Sequence, residues 1–124
     1  YKGMHGGAFE AGEYTPTLSA GVNIAASAPR VTRYIRVGNI VTVSGEIAID
    51  PTAAAPTATS FELDLPIASN FSTVYQCSGS ITGTSYTQCG SIASNVANNT
   101  AYFYYMTVNT AVDNLGFQFM YEII

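Results

Sequence analysis

From Leu65 to Val112 the chain runs 48 residues without an Asp, Glu, Lys, Arg or His. Ser, Thr, Asn, Gln, Gly and Tyr interrupt every apolar run in it well short of the ~20 residues a bilayer requires. No membrane insertion is therefore expected. Such a segment must stay soluble through neutral hydroxyls and amides, and must pair its backbone groups in sheets or turns. It also holds almost nothing with which to move a proton. The stretch points to a β-structured binding or assembly module and away from an enzyme.

The rest of the composition narrows this further. At 124 residues one domain is expected. Charged residues make up 10%, against ~25% in an ordinary globular protein. The cations Lys2, Arg30, Arg33 and Arg36 are too few to follow a phosphate backbone, and the net charge is −4, so no nucleic-acid partner is expected. A hydrophobic content of 48%, with nine Tyr and six Phe, supplies a core and excludes disorder. No signal peptide or lipidation motif is recognisable. The first residue is Tyr1, which reads as a processed chain or part of a longer product.

Residues 1–12, with Gly3, Gly6, Gly7, Gly12 and the lone His5, show no periodicity and read as a flexible Gly-rich arm or linker. Residues 13–124 read as one β-sandwich domain. Order is expected from Glu13 to Leu18, with Pro16 restricting that strand to an edge. Ser19 to Pro29 is Ala-rich enough for a short helix, but Gly21 and Pro29 close it in and it reads as a loop.

The strongest element is Val31 to Asp50, where Gly38-Asn39 suits a two-residue primed hairpin turn. That turn sets Val37 opposite Ile40, Arg36 opposite Val41, Ile35 opposite Thr42 and Tyr34 opposite Val43. One face then carries Ile35, Val37 and Ile40, and the other Tyr34, Val41, Val43, Ile47 and Ile49. Two apolar faces predict cover on both sides, from a packed sheet or a neighbouring subunit.

Phe61, Leu63 and Leu65 alternate with Glu62 and Asp64 as a half-exposed strand ended by Pro66. Thr73 to Ile81 and Ser85 to Val96 form a second expected hairpin about Thr82-Gly83-Thr84. Asn98-Asn99 turns into the strand Ala101 to Val108. In the last run Leu115, Phe117, Phe119, Tyr121 and Ile123 share a face. These add up to an all-β, antiparallel sandwich of jelly-roll or immunoglobulin-like type with about seven or eight strands.

Chemistry is sparse. His5 lies in the arm, without a scaffold to orient it. Cys77 and Cys89 lack zinc-ligand spacing. They sit six residues either side of Gly83, so a symmetric loop would set them opposite one another, close to disulfide reach; two small buried thiols, or a register shifted by a bulge, are the other readings. Glu62 and Asp64 share one strand face, which is the ordinary look of a solvated edge, and no third oxygen-rich segment lies near to complete a metal site. Arg30, Arg33 and Arg36 beside Glu46 and Asp50 read as a salt-bridged rim or as subunit contacts, and not as a phosphate cradle. Asn70-Phe71-Ser72 and Asn98-Asn99-Thr100 match the glycosylation sequon, which has consequences only in a eukaryotic secretory route. No catalytic residue, metal site or cofactor is expected. Among the tyrosines of the charge-free half, alternation puts Tyr102 and Tyr104 on one face and Tyr105 on the other. Tyr75 and Tyr86 stand next to turns and are the candidate receptor contacts.

Several stretches, in order, resemble small β modules that end tail-fibre and other virion structural proteins of bacteriophages. They are Tyr14-Thr15-Pro16-Thr17-Leu18, Tyr34 to Gly45 (YIRVGNIVTVSG), Asp50-Pro51-Thr52, Leu65 to Phe71 (LPIASNF) and Phe117 to Ile124 (FQFMYEII). The resemblance implies a sandwich at the C-terminal end of a fibre, forming a homotrimer exposed on the virion surface. Other virion proteins and a host surface component, a glycan among the candidates, would be its partners. It implies no catalytic residue. Cys77, Cys89 and Ala93 to Thr100 have no counterpart in it.

Overall fold

The computed structural model describes residues 9–83 and 89–124. Ten strands carry most of them: β1 (Phe9–Tyr14), β2 (Leu18–Val22), β3 (Ile24–Pro29), β4 (Thr32–Val37), β5 (Ile40–Pro51), β6 (Thr57–Leu63), β7 (Cys77–Thr82), β8 (Cys89–Asn95), β9 (Thr100–Thr107) and β10 (Asp113–Glu122). All pairings are antiparallel, in the order β1-β4-β5-β10-β7-β8-β9-β6-β2, with β3 on the second half of β5. The fold is all-β, as the composition implies. Its strands hydrogen-bond in one continuous curled sheet, whose inner face closes around a single core.

The β4–β5 hairpin has the expected register, Val37 to Ile40 through Tyr34 to Val43. Gly38 takes φ +61°, the left-handed backbone that a primed turn needs and glycine supplies without a Cβ penalty. Strand β5 then extends far enough to pair with β4, β3 and β10. With β10 it forms the spine of the sheet.

The curl is visible in the core. Strands β9 and β10 stand three places apart in the sheet, which is ~14 Å if it were flat. Yet Phe103 of β9 meets Phe119 of β10 edge to face at 5.9 Å, and Phe117 at 5.1 Å. Phe61 stacks on Phe103 at 4.8 Å from the next strand. Two inward-facing glycines allow this curvature. Gly79 of β7 lies opposite Phe119, and Gly90 of β8 lies opposite Tyr105. A Cβ at either would run into the neighbouring strand, at the carbonyl of Gln118 or of Tyr104. Without side chains there, the rings fold over bare backbone and the sheet bends tightly.

Residues 19–29, expected as a loop, form β2 and β3. The joint between them is Asn23, at φ +64°, a conformation that asparagine tolerates better than most residues. Its Nδ2 donates to Thr59 Oγ1 at 2.8 Å and to Thr107 Oγ1 at 3.3 Å, and its Oδ1 accepts from the Ala53 amide at 2.9 Å. The corner carries the chain from β6, the partner of β2, to β5, the partner of β3, and so closes the curl. These two strands raise the count above the expected seven or eight. Order also begins earlier than expected, because Phe9 to Gly12 pair with β4 as part of β1 instead of lying in an arm.

Two further expectations are corrected. Thr73 to Gln76 do not extend β7; residues Val74–Gln76 form a 3₁₀ turn ahead of it. The second hairpin pairs Thr82 with Cys89 and Ser78 with Ala93, so its centre lies beyond Gly83.

Burial of hydroxyl and thiol groups in this core fixes a pH dependence. Burial pushes the Cys77 thiol up from 9.0 to about 12. Burial likewise pushes the Tyr121 phenol up from 10.0 to about 12, against a lowering hydrogen bond to the Ile67 backbone. Tyr14 and Tyr105 are also raised, first by burial and then by Asp64 and Asp113 respectively. Each folded value lies above its unfolded one. Their contribution to stability is therefore complete below about pH 9 and lost as pH rises through about 12. Thermal melts across pH should show a level midpoint up to about pH 9 and a steep fall beyond it. A flat midpoint through pH 12 would mean these groups are not buried as described.

Candidate functional site

Alternation along β4, β5 and β10 sends Val41, Val43, Phe117, Phe119 and Tyr121 inward. It leaves Phe9, Ile35, Val37, Ile40 and Met120 outward and exposed. Register places Phe9, Val37 and Ile40 side by side on β1, β4 and β5, and Ile35 and Met120 on either side of Thr42 one row along. The second apolar face predicted for the hairpin is thus real, and nothing among the described residues covers it. The next row carries the exposed ion pair Arg33–Glu13 at 3.1 Å. Glu13 stands where Glu46 or Asp50 was expected as the arginine's partner. An exposed pair of this kind contributes at most about 1 kcal/mol.

Tyr75 adjoins this face. It stands on the 3₁₀ turn and is 87% exposed. Ile40, Met120, Gln76, Tyr121 and Glu122 line a shallow hollow beside its ring. The turn itself is tightly held. The amides of Ser72 and Thr73 donate to Gln76 Oε1 at 2.7 and 3.1 Å, and Gln76 Nε2 donates to Ser72 Oγ at 3.0 Å. Ser94 Oγ of β8 donates to the Thr73 carbonyl at 2.6 Å. A large aromatic ring is therefore presented to the outside from a rigid base.

The remaining outer surface, over β7, β8 and β9, is different in kind. Gln118, Ser80, Ser91 and Tyr104 follow one another across four strands in one outward row, all exposed and none charged at neutral pH. This is where the charge-free half of the sequence meets solvent.

The other sequence candidates do not assemble into a site. Glu62, expected on a solvated face, is 4% exposed. Its Oε1 accepts from Asn98 Nδ2 at 3.1 Å and Thr100 Oγ1 at 2.6 Å, and its Oε2 from Asn95 Nδ2 at 3.0 Å. The carboxylate staples the β8–β9 turn to β6. Asp64 is exposed and accepts from the Thr17 amide at 2.7 Å. The two acids have separate structural tasks and do not act as a pair. Cys77 and Cys89 are free thiols, the first buried and the second exposed. The offset hairpin register brings Cys89 opposite Thr82, so no disulfide joins them. Tyr86 and His5 lie outside the described residues. Among the described residues no three His, Cys, Asp or Glu side chains converge as metal ligands.

No protein-family model, curated protein or solved structure matches the chain. Its function must be argued from its own surfaces. Tyr105 Oη, which donates to Asp113 Oδ2 at 3.0 Å, and Asn23 at the closing corner are the polar residues that sequence reading overlooked. Both serve the fold.

Proposed function

We propose that this chain is the tip module of a bacteriophage fibre or spike, exposed on the virion, whose copies assemble as a homotrimer and contact a host cell-surface component. The observation that carries this reading is the division of the outer surface. The outer face of β1, β4, β5 and β10 is apolar and uncovered among the described residues, suited to sister copies, while the β7–β8–β9 side is neutral, hydroxyl-rich and open. A glycan is the fitting class of host component, because neutral hydroxyls and amides exchange hydrogen bonds with sugars without desolvating a charge. Trimerisation supplies avidity, so weak single contacts suffice to hold a particle. The ordered resemblances at Tyr34 to Gly45, Leu65 to Phe71 and the terminal aromatic strand support the same reading.

A second reading is a purely structural virion subunit, such as a capsid decoration or fibre-attachment protein. The continuity of Tyr75 with Ile40 and Met120 favours it, since a candidate receptor contact placed there can be taken up between copies. Fluorescently labelled chain applied to a panel of bacterial strains separates the two. The attachment reading expects labelling of some strains and slowed adsorption of the cognate particle. A well-assembled chain that labels none and leaves adsorption unchanged contradicts it. Tyr75→Ala adds resolution, because loss of cell binding with intact assembly assigns that residue to the receptor.

A further inference from the structure

We infer that a second copy of this chain docks on the outer face of β1, β4, β5 and β10, over Phe9, Ile35, Val37, Ile40 and Met120, with Tyr75 as the anchoring side chain. The inference rests on the assembly half of the reading above and adds to it the surface, the anchor and the occupant.

Area comes first. With ~200 Å² for a large side chain in full view, these six, 44% to 87% exposed, show roughly 700 Å². That is just above what a monomer's largest apolar patch usually shows, and most of the ~800 Å² that each partner gives to a stable interface. Phe9 alone is 70% exposed, at a position where an edge strand ordinarily carries a charge or proline to discourage contact.

Charge selects the occupant. On β1, β4 and β5 the apolar rows hold no charged side chain, and at their border Arg33 is already neutralised by Glu13. Glu122 closes the Phe9–Val37–Ile40 row on the far strand. Such a face offers no net positive charge to an anionic lipid surface or nucleic acid, and no single-sign field to a charged protein. A copy of itself meets the same near-neutral rim, where Glu122 is the one charge beyond the Arg33–Glu13 pair among the described residues of these rows.

Shape agrees. The protruding Tyr75 ring and the hollow over Ile40 and Met120 lie side by side on one face. A knob beside a hollow is what a rotationally symmetric assembly needs, because each copy can give its knob to the next and receive one in turn. The Gln76 hydrogen bonds hold the backbone of the turn that carries the ring, so the turn itself need not be ordered on docking. Aromatic anchors dominate interface energetics.

The test is the solution mass of the full chain and its variants by light scattering, with circular dichroism as the check on folding. Wild type should be a multimer. Val37→Lys combined with Ile40→Glu should be a folded monomer, and Tyr75→Ala should weaken assembly at least tenfold. Tyr104→Lys, on the neutral face, should leave the mass unchanged. If the double variant unfolds, Met120→Lys takes its place with the same expectation. A multimer that survives all changes on this face, or that only Tyr104→Lys dissociates, overturns the docking surface and leaves the oligomer standing. A wild-type monomer at high micromolar concentration overturns both.

Discussion

Phe119→Asp should give no folded protein. Phe119 is buried at the middle of β10, against Phe103, Phe117 and Tyr121. Removing such a ring costs about 3–5 kcal/mol in lost contacts and cavity. An unpaired carboxylate in the same dry site adds several more. The sum reaches the whole stability of an ordinary domain, about 5–15 kcal/mol. Near-UV circular dichroism and thermal melts should both lose their native signal. Met120→Asp, one residue along and facing out, should fold. A cooperative melt from Phe119→Asp close to that of wild type would mean that the inner face of β10 is wrongly assigned.

The second large effect is expected from a single methyl group. Gly79→Ala places a Cβ against the Gln118 carbonyl and the Cα and Cβ of Phe119, all on the adjacent strand. Backbone cannot rotate aside as a side-chain tip can, so β7 and β10 must separate. The expected loss is about 3 kcal/mol or more. Gly116→Ala is the matched control, since nothing there lies nearer than the Thr82 carbonyl at 4.0 Å. It should stay within about 0.5 kcal/mol of wild type. Urea unfolding of the three proteins measures both. Equal stability at positions 79 and 116 would contradict the account of how the sheet bends.

The elements that could be read from the sequence are those where alternation and turn chemistry agree. The β4–β5 hairpin is legible because Gly38-Asn39 names the turn and Tyr34 to Val43 alternate on both sides of it. Strand β10 is legible because five apolar residues recur with period two. Where these signals are weak, the reading slips. Strands β2 and β3 are largely Ser, Ala and Gly between Leu18, Val22, Ile24 and Pro29, which leaves no clear periodicity, and they exist because β6 and β5 offer them backbone partners. Gly79 and Gly90 remove inward side chains from the alternation of β7 and β8, which hides the register and led to Cys77 and Cys89 being set opposite one another.

The candidate site was legible only in part. The uncovered face follows from hairpin alternation alone, through Ile35, Val37 and Ile40. The contributions of Phe9 and Met120 require knowing that β1 and β10 flank that hairpin, which no local pattern states. Glu62 looked solvated because its strand alternates. Its burial comes from a turn more than thirty residues away folding over it, as the bonds from Asn98 and Thr100 show.

Methionine oxidation tests most directly whether sister copies cover the apolar face. Met120 lies on that face and Met106 on the opposite outer surface, and a single chain exposes them almost equally, at 50% and 44%. Both thioethers should therefore react alike in a monomer. Under dilute hydrogen peroxide at assembling concentrations, peptide mass spectrometry should find Met106 oxidised and Met120 protected, with protection lost on dilution or in the Val37→Lys, Ile40→Glu variant. Equal oxidation of the two at every concentration would contradict the account.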